Sequence, residues 1–554
     1  MVLGGHSGSY SAGQALRRAN ARTLAWVDNA FVVRYRVPMV VTTATSLLLC
    51  VGFLLLPLAG TDLSAQVARG HFFHRHGPEP VDFRWYGGTL PFGYSVLTGP
   101  LNALLGSRGV GAVACVLSAS AFAWLLTRLR VRRPTLGGVL GALVGIFNLV
   151  SGRTTFAMGV AFGVLALCFV VLPERQLPQR GWRWRLGSAA LLAVLSGAAS
   201  PVAGAFVGLA GLALLLARTW WQGGALAAGA SVGLIPAVLL FRDGGTQPYA
   251  VDSMKVALAV CIAAFFLVPA RYLALRIGVV LTAALVVAAA HIPNAMGSNA
   301  GRLPLLFAAP VIVAVSTLNG RWLAAVIAAI FWWQPPLVAS DLNHAGADDA
   351  ERLFHQPLIN ELGRRQPVGR VEVVPLANHW EATYVSDVVP IARGWLRQVD
   401  VERNSLFYDG SLTPASYLEW LYRNAVEYVA LPRDVSIDWA GQQEASLIAA
   451  NLPYLEPDWQ SSNWELFRVI GGRTLVDYPA KLVESNATGV RFTVPAAPSP
   501  ATIVMRVVWS RWLALEGPKG CIEPGTDRWV RVRLQLPGEY RLSSRLGITQ
   551  PSHC

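Results

Sequence analysis

The sequence predicts a polytopic α-helical membrane protein with about eleven transmembrane helices, followed by an extracytoplasmic C-terminal α/β lobe and a β-sandwich. Three observations lead to this fold class. Of the 554 residues, 53% are hydrophobic and only 14% are charged, which would give a soluble protein too much apolar surface. The long uncharged runs lie within 38–338, and most carboxylates follow them. Arginine clusters recur between alternate apolar runs.

Each transmembrane helix requires roughly 20 apolar residues, or fewer where a short or broken helix is buried among others. The runs that meet this requirement lie near 38–60, 108–127, 135–151, 156–173, 186–200, 201–218, 223–241, 254–270, 273–290, 303–318 and 322–338. Only Ser200 and Pro201 separate the fifth run from the sixth. That pair is therefore either two spans or one broken or re-entrant element.

The arginines predict the orientation of the spans, because cytoplasmic connections are enriched in basic residues. They cluster before the first run, after the second and after the fourth: Arg17, Arg18, Arg22, Arg34, Arg36, Arg128, Arg130, Arg132, Arg133, Arg175, Arg180, Arg183 and Arg185. The first run is too long for a signal peptide and lacks a small-residue cleavage site after it. We therefore expect a plasma-membrane protein with a cytoplasmic segment 1–37, a retained first span and, since the span count is odd, an external C-terminus.

The connection 61–107 is the longest within the membrane domain 38–338 and is predicted to be external. Long loops that carry polar and aromatic residues are common places for function. Residues 62–76 contain apolar positions near helical spacing, which predicts an amphipathic helix on the outer leaflet. The stretch 94–105 is too short to span and is expected at the interface or as a re-entrant segment.

Alternating patterns replace the apolar runs after residue 338. Residues 339–472 are predicted to form an α/β lobe, with helices near 358–364 and 416–424 and strands near 371–374 and 428–431. Residues 473–554 are predicted to form a β-sandwich, with strands at 490–494, 503–507 and 529–534. Cys521 and Cys554 lie in this soluble part and could pair there, since an external compartment permits disulfides.

Several function classes lack their sequence signals. The formal net charge is +14, but no basic face interleaved with aromatic residues accompanies it, so nucleic acid is not an expected partner. Phosphate-binding glycine loops, paired Cys-x-x-Cys motifs, H-E-x-x-H and G-x-S-x-G are absent from the sequence. Ionisable residues are absent from the middle of the apolar runs, where Asn148 is the most polar side chain, and this weighs against an ion-coupled transporter.

Polar residues gather instead at the predicted outer ends of the spans. They are Asp62, Arg153, Arg242, Asp252, Lys255, His291, Asn294, Asn299 and Arg302. This arrangement resembles that of the C-type glycosyltransferase superfamily, whose members use polyprenyl-phosphate sugars on the external face. The resembling features are the cytoplasmic N-terminus, the acidic residue in Thr61-Asp62-Leu63-Ser64 after the first span, the helix in a long first outer loop and the external C-terminal domain. The stretch 392–395, with 404–410, also looks like bacterial membrane proteins of this type.

The resemblance implies that Asp62 is the catalytic base, since it stands where the family has its acidic residue. It implies a polyprenyl-phosphate sugar as donor and a cell-envelope glycan or glycolipid as acceptor. Actinobacterial members suggest arabinofuranose or mannose as the sugar, and scarce lysine beside abundant alanine, glycine and valine agrees with such a GC-rich source. Asp82 and Asp252 match a second acidic position only loosely, so no cofactor is implied and a divalent metal stays open.

Physical chemistry assigns further roles. Arg302, Arg153 and Lys255 could bind the departing phosphate through charge-assisted hydrogen bonds. Other residues of the first outer loop are expected to bind the sugar or the acceptor: Asp82, Trp85, Tyr86, His71 and His76. Simpler interpretations remain for each of them, since a carboxylate can end a helix in solvent and arginines can extend to lipid headgroups. No metal site is predicted, because the histidine spacing fits no familiar closed site.

Two other functions remain open. A flippase or exporter of lipid-linked glycans would carry inverted repeats or broken helices with polar residues at the membrane midplane. A non-catalytic scaffold of the cell envelope would keep the fold and tolerate the loss of Asp62.

Overall fold

The computed structural model describes residues 36–171, 181–333, 335, 339–495, 501–547 and 552–554. The predicted cytoplasmic segment 1–37 lies almost wholly outside these residues, as do several of the arginines used for orientation. Those arginines are Arg17, Arg18, Arg22, Arg34, Arg175 and Arg180.

Helices occupy all the predicted membrane runs. They are α1 (Val37–Leu55), α5 (Ser107–Arg128), α6 (Pro134–Val150), α7 (Thr154–Val171), α8 (Gly181–Ala199), α9 (Pro201–Leu216), α10 (Trp220–Ile235), α11 (Val251–Leu267), α12 (Leu273–His291), α13 (Arg302–Val315) and α14 (Gly320–Trp333). A π-helical turn, Pro236–Leu240, continues α10, and a 3-10 turn, Gly297–Gly301, precedes α13. The protein is therefore a multi-pass helical membrane protein.

Six of the described helical stretches are long and apolar enough to cross a membrane. They are Val37–Leu55, Ser107–Arg128, Thr154–Val171, Trp220–Leu240, Leu273–His291 and Gly297–Val315. Shorter apolar helices lie at Pro134–Val150, Pro201–Leu216 and Gly320–Trp333. The predicted total of about eleven spans and the sidedness of the termini stay predictions.

Small residues bring several of these helices into close contact. A Cβ atom on Gly229 of α10 would lie 2.3 Å from the carbonyl oxygen of Ala190 in α8, and one on Gly233 would lie 2.4 Å from that of Val194. Membrane helices have no hydrophobic driving force between them, so close backbone packing is one of their main sources of association. The many glycines and alanines of this part of the sequence therefore serve packing.

The first outer loop contains three helices: α2 (Leu63–His76), α3 (Pro91–Tyr94) and α4 (Thr98–Leu105). The predicted helix at 62–76 is present, and its expected position at the outer leaflet stays a prediction. Most of the 14 residues of α2 are buried by protein, including Ser64, Arg69 and Phe72. The helix packs between the membrane helices and the C-terminal lobe, because apolar residues occur on more than one of its faces.

The α/β lobe follows the membrane helices. Its helices are α15 (Ala339–Asn343), α16 (Arg352–Arg364), α17 (Glu381–Tyr384), α18 (Arg397–Arg403), α19 (Pro414–Arg423) and α20 (Gln442–Ala449). Its strands are β1 (Val371–Val373), β2 (Tyr428–Pro432), β3 (Leu455–Gln460) and β4 (Trp464–Val469). The strand order is β1-β2-β4-β3, with β1 parallel to β2 and the other pairs antiparallel.

The rest of the chain is rich in β-structure. Its strands are β5 (Lys481–Asn486), β6 (Gly489–Val494), β7 (Ala501–Val508), β8 (Leu513–Glu516), β9 (Gly520–Pro524), β10 (Trp529–Leu534) and β11 (Gly538–Ser544). They form two antiparallel sheets, ordered β7-β10-β9 and β5-β6-β11-β8. The structure contains the disulfide between Cys521 and Cys554. The predicted boundary at 472–473 falls between β4 and β5 and stays a prediction.

The first outer loop is packed into both C-terminal units. Val81 and Phe83 belong to the apolar core of the β-sandwich. Trp85 and Tyr86 belong instead to the core of the α/β lobe. The six-residue segment 81–86 thus contributes side chains to two cores. The loop therefore joins the membrane domain to both units.

Candidate functional site

The candidate site lies where three connections between helices meet. Asp62 immediately precedes α2, Arg153 immediately precedes α7 and Arg302 begins α13. The Oδ2 atom of Asp62 lies 3.4 Å from Nε of Arg153 and 3.6 Å from Nη2 of Arg302. The carboxylate is 30% exposed and the two guanidinium side chains are 21% and 20% exposed. The structure thus brings together three of the residues that the sequence predicts.

Two glycines allow the backbones of these connections to touch. Gly60 has a φ of +87°, and a Cβ atom there would lie 2.3 Å from the carbonyl oxygen of Val150. Gly152 has a φ of +80°, and its Cβ atom would lie 2.3 Å from the backbone nitrogen of Leu63. Any side chain at either position would be strained and would also collide with backbone. The approach of Asp62 to Arg153 therefore depends on glycine at both places.

Thr61, the residue before Asp62, is held from two sides. Its backbone N–H donates to Oδ1 of Asp341 at 3.3 Å, and the hydroxyl of Ser151 donates to Oδ2 of the same carboxylate at 2.6 Å. Its carbonyl oxygen accepts a hydrogen bond of 2.7 Å from the indole Nε1 of Trp395, in the α/β lobe. Asp341 is buried. The backbone that positions Asp62 is consequently fixed by residues 280 and 334 positions further along the chain.

Trp395 is itself held by a buried histidine, His379. Its ring stacks on His379 with a centroid separation of 3.5 Å. The nitrogens of His379 lie 3.5 Å from Glu381 and 3.6 Å from Asp438. Burial alone would lower the pKa of His379, but these two carboxylates raise it above its ordinary value. His379 and its two neighbouring carboxylates therefore support the indole that contacts the Asp62 turn.

Polar side chains of α2 lie beside the Asp62 carboxylate. The amide Nε2 of Gln66 donates to the hydroxyl of Tyr94 at 3.0 Å, and the Gln66 carbonyl accepts from the hydroxyl of Thr155. The guanidinium carbon of Arg69 lies 3.6 Å from the centre of the Tyr94 ring. Burial lowers the pKa of Arg69, and its Nη2 atom has no hydrogen-bond acceptor among the described residues. Arg69 adds a third positive charge, one turn of helix beyond Gln66.

The cluster of Asp62, Arg153, Arg302 and Arg69 contains more positive than negative charge. One carboxylate, Asp62, faces Arg153 and Arg302 at distances longer than an ideal hydrogen bond. Arg69 is also influenced electrostatically by Asp62 and forms no ion pair of its own among the described residues. The arrangement can accept a further anion, while the carboxylate keeps unoccupied lone pairs. Both properties suit a reaction that expels an anion and removes a proton.

Two residues that the sequence predicts for sugar binding have another role in the structure. Asp82 binds Arg84, whose Nη2 donates to Oδ2 of Asp82 at 2.8 Å and whose Nη1 donates to Asp387 at 2.8 Å. His71 lies 3.6 Å from Asp387 as well. Burial would raise the pKa of Asp387, but the nearby His71 imidazole and the charges of Arg84 and Arg75 hold it below its ordinary value. These residues tie the loop to the lobe.

Trp85 and Tyr86 are buried as well, with 1% and 4% of their surfaces exposed. The indole of Trp85 donates to the carbonyl of Ala382 at 2.9 Å, and the hydroxyl of Tyr86 donates to the carbonyl of Gly394 at 2.6 Å. Neither ring presents an open face on which a sugar could stack. Their apolar bodies fill the core of the lobe, so the structure gives no support to the sugar-binding roles proposed for them.

The remaining predicted residues lie apart from the cluster. Lys255 is exposed and binds Asp252 at 2.9 Å, one turn away on the same helix. His76 packs against Phe72, with ring centroids 5.4 Å apart. Neither Lys255 nor His76 contacts the Asp62 carboxylate within the part of the chain that the structure describes. In that same part, no group of three His, Cys, Asp or Glu side chains could hold a metal ion.

Sequence reasoning missed four residues of the site: Gln66, Arg69, Asp341 and Trp395. Gln66 and Arg69 follow Asp62 at positions four and seven, which lie on one face of a helix. That spacing could have indicated them. Asp341 and Trp395 reach the site from far along the chain, and no local pattern identifies them.

Comparisons with known proteins give fold-level likenesses only. No family model matches the chain, and no curated protein matches it. Among solved structures it resembles arabinofuranosyltransferase AftD from Mycobacteria, with 14% identity and a TM-score of 0.44 over 92% of this chain and 57% of that one. The chain thus spans little more than half the length of that protein.

The chain also resembles ArnT from Cupriavidus metallidurans. The apo structure has 12% identity and a TM-score of 0.44, over 80% of this chain and 98% of that one. The structure bound to undecaprenyl phosphate has 14% identity and a TM-score of 0.43, over 81% and 98%. At these identities and TM-scores, no residue role is transferred to this chain.

Proposed function

We propose that the chain is a membrane glycosyltransferase that moves one sugar from a polyprenyl-phosphate donor to a cell-envelope glycan or glycolipid on the outer face of the plasma membrane. The observation that carries this proposal is the Asp62 carboxylate between the guanidinium groups of Arg153 and Arg302. Arg153 and Arg302 lie at the ends of the apolar helices α7 and α13, where a lipid phosphate would be located, and Asp62 lies in the connection that follows the apolar helix α1. Arabinofuranose and mannose are the sugars that we would test first.

In the proposed reaction the carboxylate accepts a proton and the arginines stabilise the leaving phosphate. The acceptor hydroxyl attacks the anomeric carbon of the donor, and its proton passes to Asp62. The bond between the anomeric carbon and the phosphate oxygen breaks, and the polyprenyl phosphate leaves with the electron pair. Arg153 and Arg302 stabilise the negative charge that develops on it. Arg69, with its unpartnered Nη2, supplies a further donor close by.

The rival functions have less support. An exporter would need polar groups at the midplane, but the amide of Asn148 bonds to the carbonyl of Arg153 at the outer end of α6. This position places Asn148 with the candidate site rather than midway along a span. A scaffold needs no carboxylate between two arginines, and only activity separates it from an enzyme.

The test is sugar transfer by purified protein in liposomes, from radiolabelled polyprenyl-phosphate arabinose or mannose to a glycan acceptor. Asp62→Asn should reduce transfer by roughly 100-fold or more, since general base catalysis contributes about 10²–10⁴-fold. Asp252→Asn is the matched control, because Asp252 is an exposed carboxylate at another outer helix end. Equal transfer by both variants would remove Asp62 from the mechanism. Lipid translocation without transfer by the wild type would favour the exporter.

A further inference from the structure

A separate cavity lies where the first outer loop, the α/β lobe and the β-sandwich meet. Its volume is about 200 Å³, enough for a small polar ligand and less than a drug-sized pocket. Tyr86 lines it from the loop, Arg403 and Arg423 from the α/β lobe, and Arg528 and Trp529 from the β-sandwich. None of these arginines belongs to the Asp62 cluster.

The arginines of the cavity lining carry positive charge, and the nearby carboxylates neutralise only part of it. Arg403 donates to the carbonyl oxygens of Tyr86 and Gly88, at 3.2 and 2.8 Å, and lies 3.5 Å from the Asp243 carboxylate. Burial lowers its pKa, Asp243 opposes this effect, and the nearby positive charge of Arg528 adds to it. Arg403 and Arg528 line the same cavity, so both guanidinium groups are placed to act on one ligand.

Two of the three arginines are available for a ligand. Among the described residues, none accepts a hydrogen bond from the side chain of Arg423 or Arg528, and both side chains are exposed. Glu402 and Asp527 also line the cavity, but neither forms an ion pair there with the three arginines. An arginine without a partner presents a planar fork of donors that suits carboxylate and phosphate groups.

A fourth arginine, Arg370, lies behind the cavity lining and adds to the positive electrostatic potential of the cavity. Arg370 is 2% exposed, and its Nη1 donates to the carbonyl of Asn424, a lining residue, at 2.6 Å. Its Nη2 donates to the carbonyl of Arg506, and its Nε has no hydrogen-bond partner among the described residues. Burial, with the charges of Arg506 and Arg403, lowers its pKa to about 9. A buried guanidinium with no carboxylate partner is costly unless an anion lies near it.

We propose that this cavity binds an anionic sugar unit of the acceptor glycan, through a carboxylate or phosphate group that Arg423 and Arg528 engage. That the ligand is a saccharide rests on the proposed function, whereas the anionic group rests on the charges of the cavity. Asp62 precedes α2, and the loop that includes Tyr86 follows the same helix. A glycan bound in this cavity would therefore be held by the segment of chain that also carries the proposed base. The site would select acceptors by charge.

The test measures binding without catalysis, on the full-length protein in nanodiscs. Galacturonate, glucose 6-phosphate, galactose and inorganic phosphate are titrated while tryptophan fluorescence is followed, since Trp529 lines the cavity. We expect the galacturonate or the sugar phosphate to bind, with galactose and inorganic phosphate at least about tenfold weaker. Arg528→Gln and Arg423→Gln should each weaken that binding about tenfold, and added salt should weaken it as well.

Arg533→Gln is the matched control, because this arginine lies on the same strand as Trp529 but pairs with Glu523 on the exposed surface. Asp62→Asn should bind the charged sugar as the wild type does, so a failed base assignment and a failed cavity assignment give different results. Equal binding of galactose and galacturonate, equal binding of inorganic phosphate and the charged sugars, or unchanged binding in both arginine variants would each overturn the proposal.

Discussion

Replacing Trp395 with phenylalanine tests whether the C-terminal lobe positions the proposed base. The ring stack on His379 is retained in part, while the 2.7 Å hydrogen bond to the carbonyl of Thr61 is lost. Removing one partner of such a bond costs about 1–1.5 kcal/mol. If that energy holds the Asp62 turn in its productive position, the chemical step should slow about tenfold. Donor affinity should change little, since Arg153 and Arg302 do not depend on this bond.

The assay is steady-state transfer with the liposome system, with kcat and the KM for donor determined separately. Trp439→Phe is the control, because Trp439 lies in the same lobe and is 58% exposed. Thermal unfolding of the three proteins, followed by fluorescence, identifies any loss that comes from misfolding. A Trp395→Phe protein with wild-type kcat and wild-type Tm would refute the reasoning. A raised KM with unchanged kcat would assign Trp395 to ligand binding instead.

Three further predictions follow from contacts already described. Arg302→Lys should raise the KM for donor about tenfold, because lysine lacks the donor fork, and donor-dependence curves check this. Cys554→Ser should lower the stability of the β-sandwich by about 2–4 kcal/mol, measured as a lower Tm that reducing agent no longer changes. Since the folded pKa of His379 is raised, its stabilising contribution is complete below the ordinary pKa and declines as pH rises through the folded pKa. His379→Gln should therefore remove the part of the fall in Tm that occurs as pH rises from the ordinary pKa of histidine through the folded pKa of His379, and an unchanged pH profile would contradict the ion pairs.

Properties that depend on local composition were predictable from the sequence. Hydropathy predicted the apolar helices, because a bilayer requires long uncharged runs. Strict alternation at 490–494 and 529–534 predicted strands β6 and β10, because successive side chains of a strand face opposite sides. Asp62 was identified by its place after the first apolar run. The approach of Arg153 and Arg302 to it agreed with their common position at outer helix ends.

Properties that depend on long-range packing were not predictable in this way. Trp85 and Tyr86 have the composition of interfacial residues, and only the position of the α/β lobe shows that they are core residues. Asp82 looked free because the charge that binds it, Arg84, is two residues away. That spacing places both on one side of an extended segment and could have indicated the pair. Asp341 and Trp395 carried no signal, since their contacts cross hundreds of residues.

The insertion of the first outer loop into two later units has a consequence for biosynthesis. Phe83 and Trp85 are translated long before the partners that bury them, which lie beyond residue 350. Until those partners have been synthesised, the loop has apolar residues without a core and the Asp62 turn has no Trp395 to hold it. A chain released early would therefore keep its inserted helices but not an ordered site. The first outer loop can therefore reach its folded structure only after the α/β lobe and the β-sandwich have been synthesised.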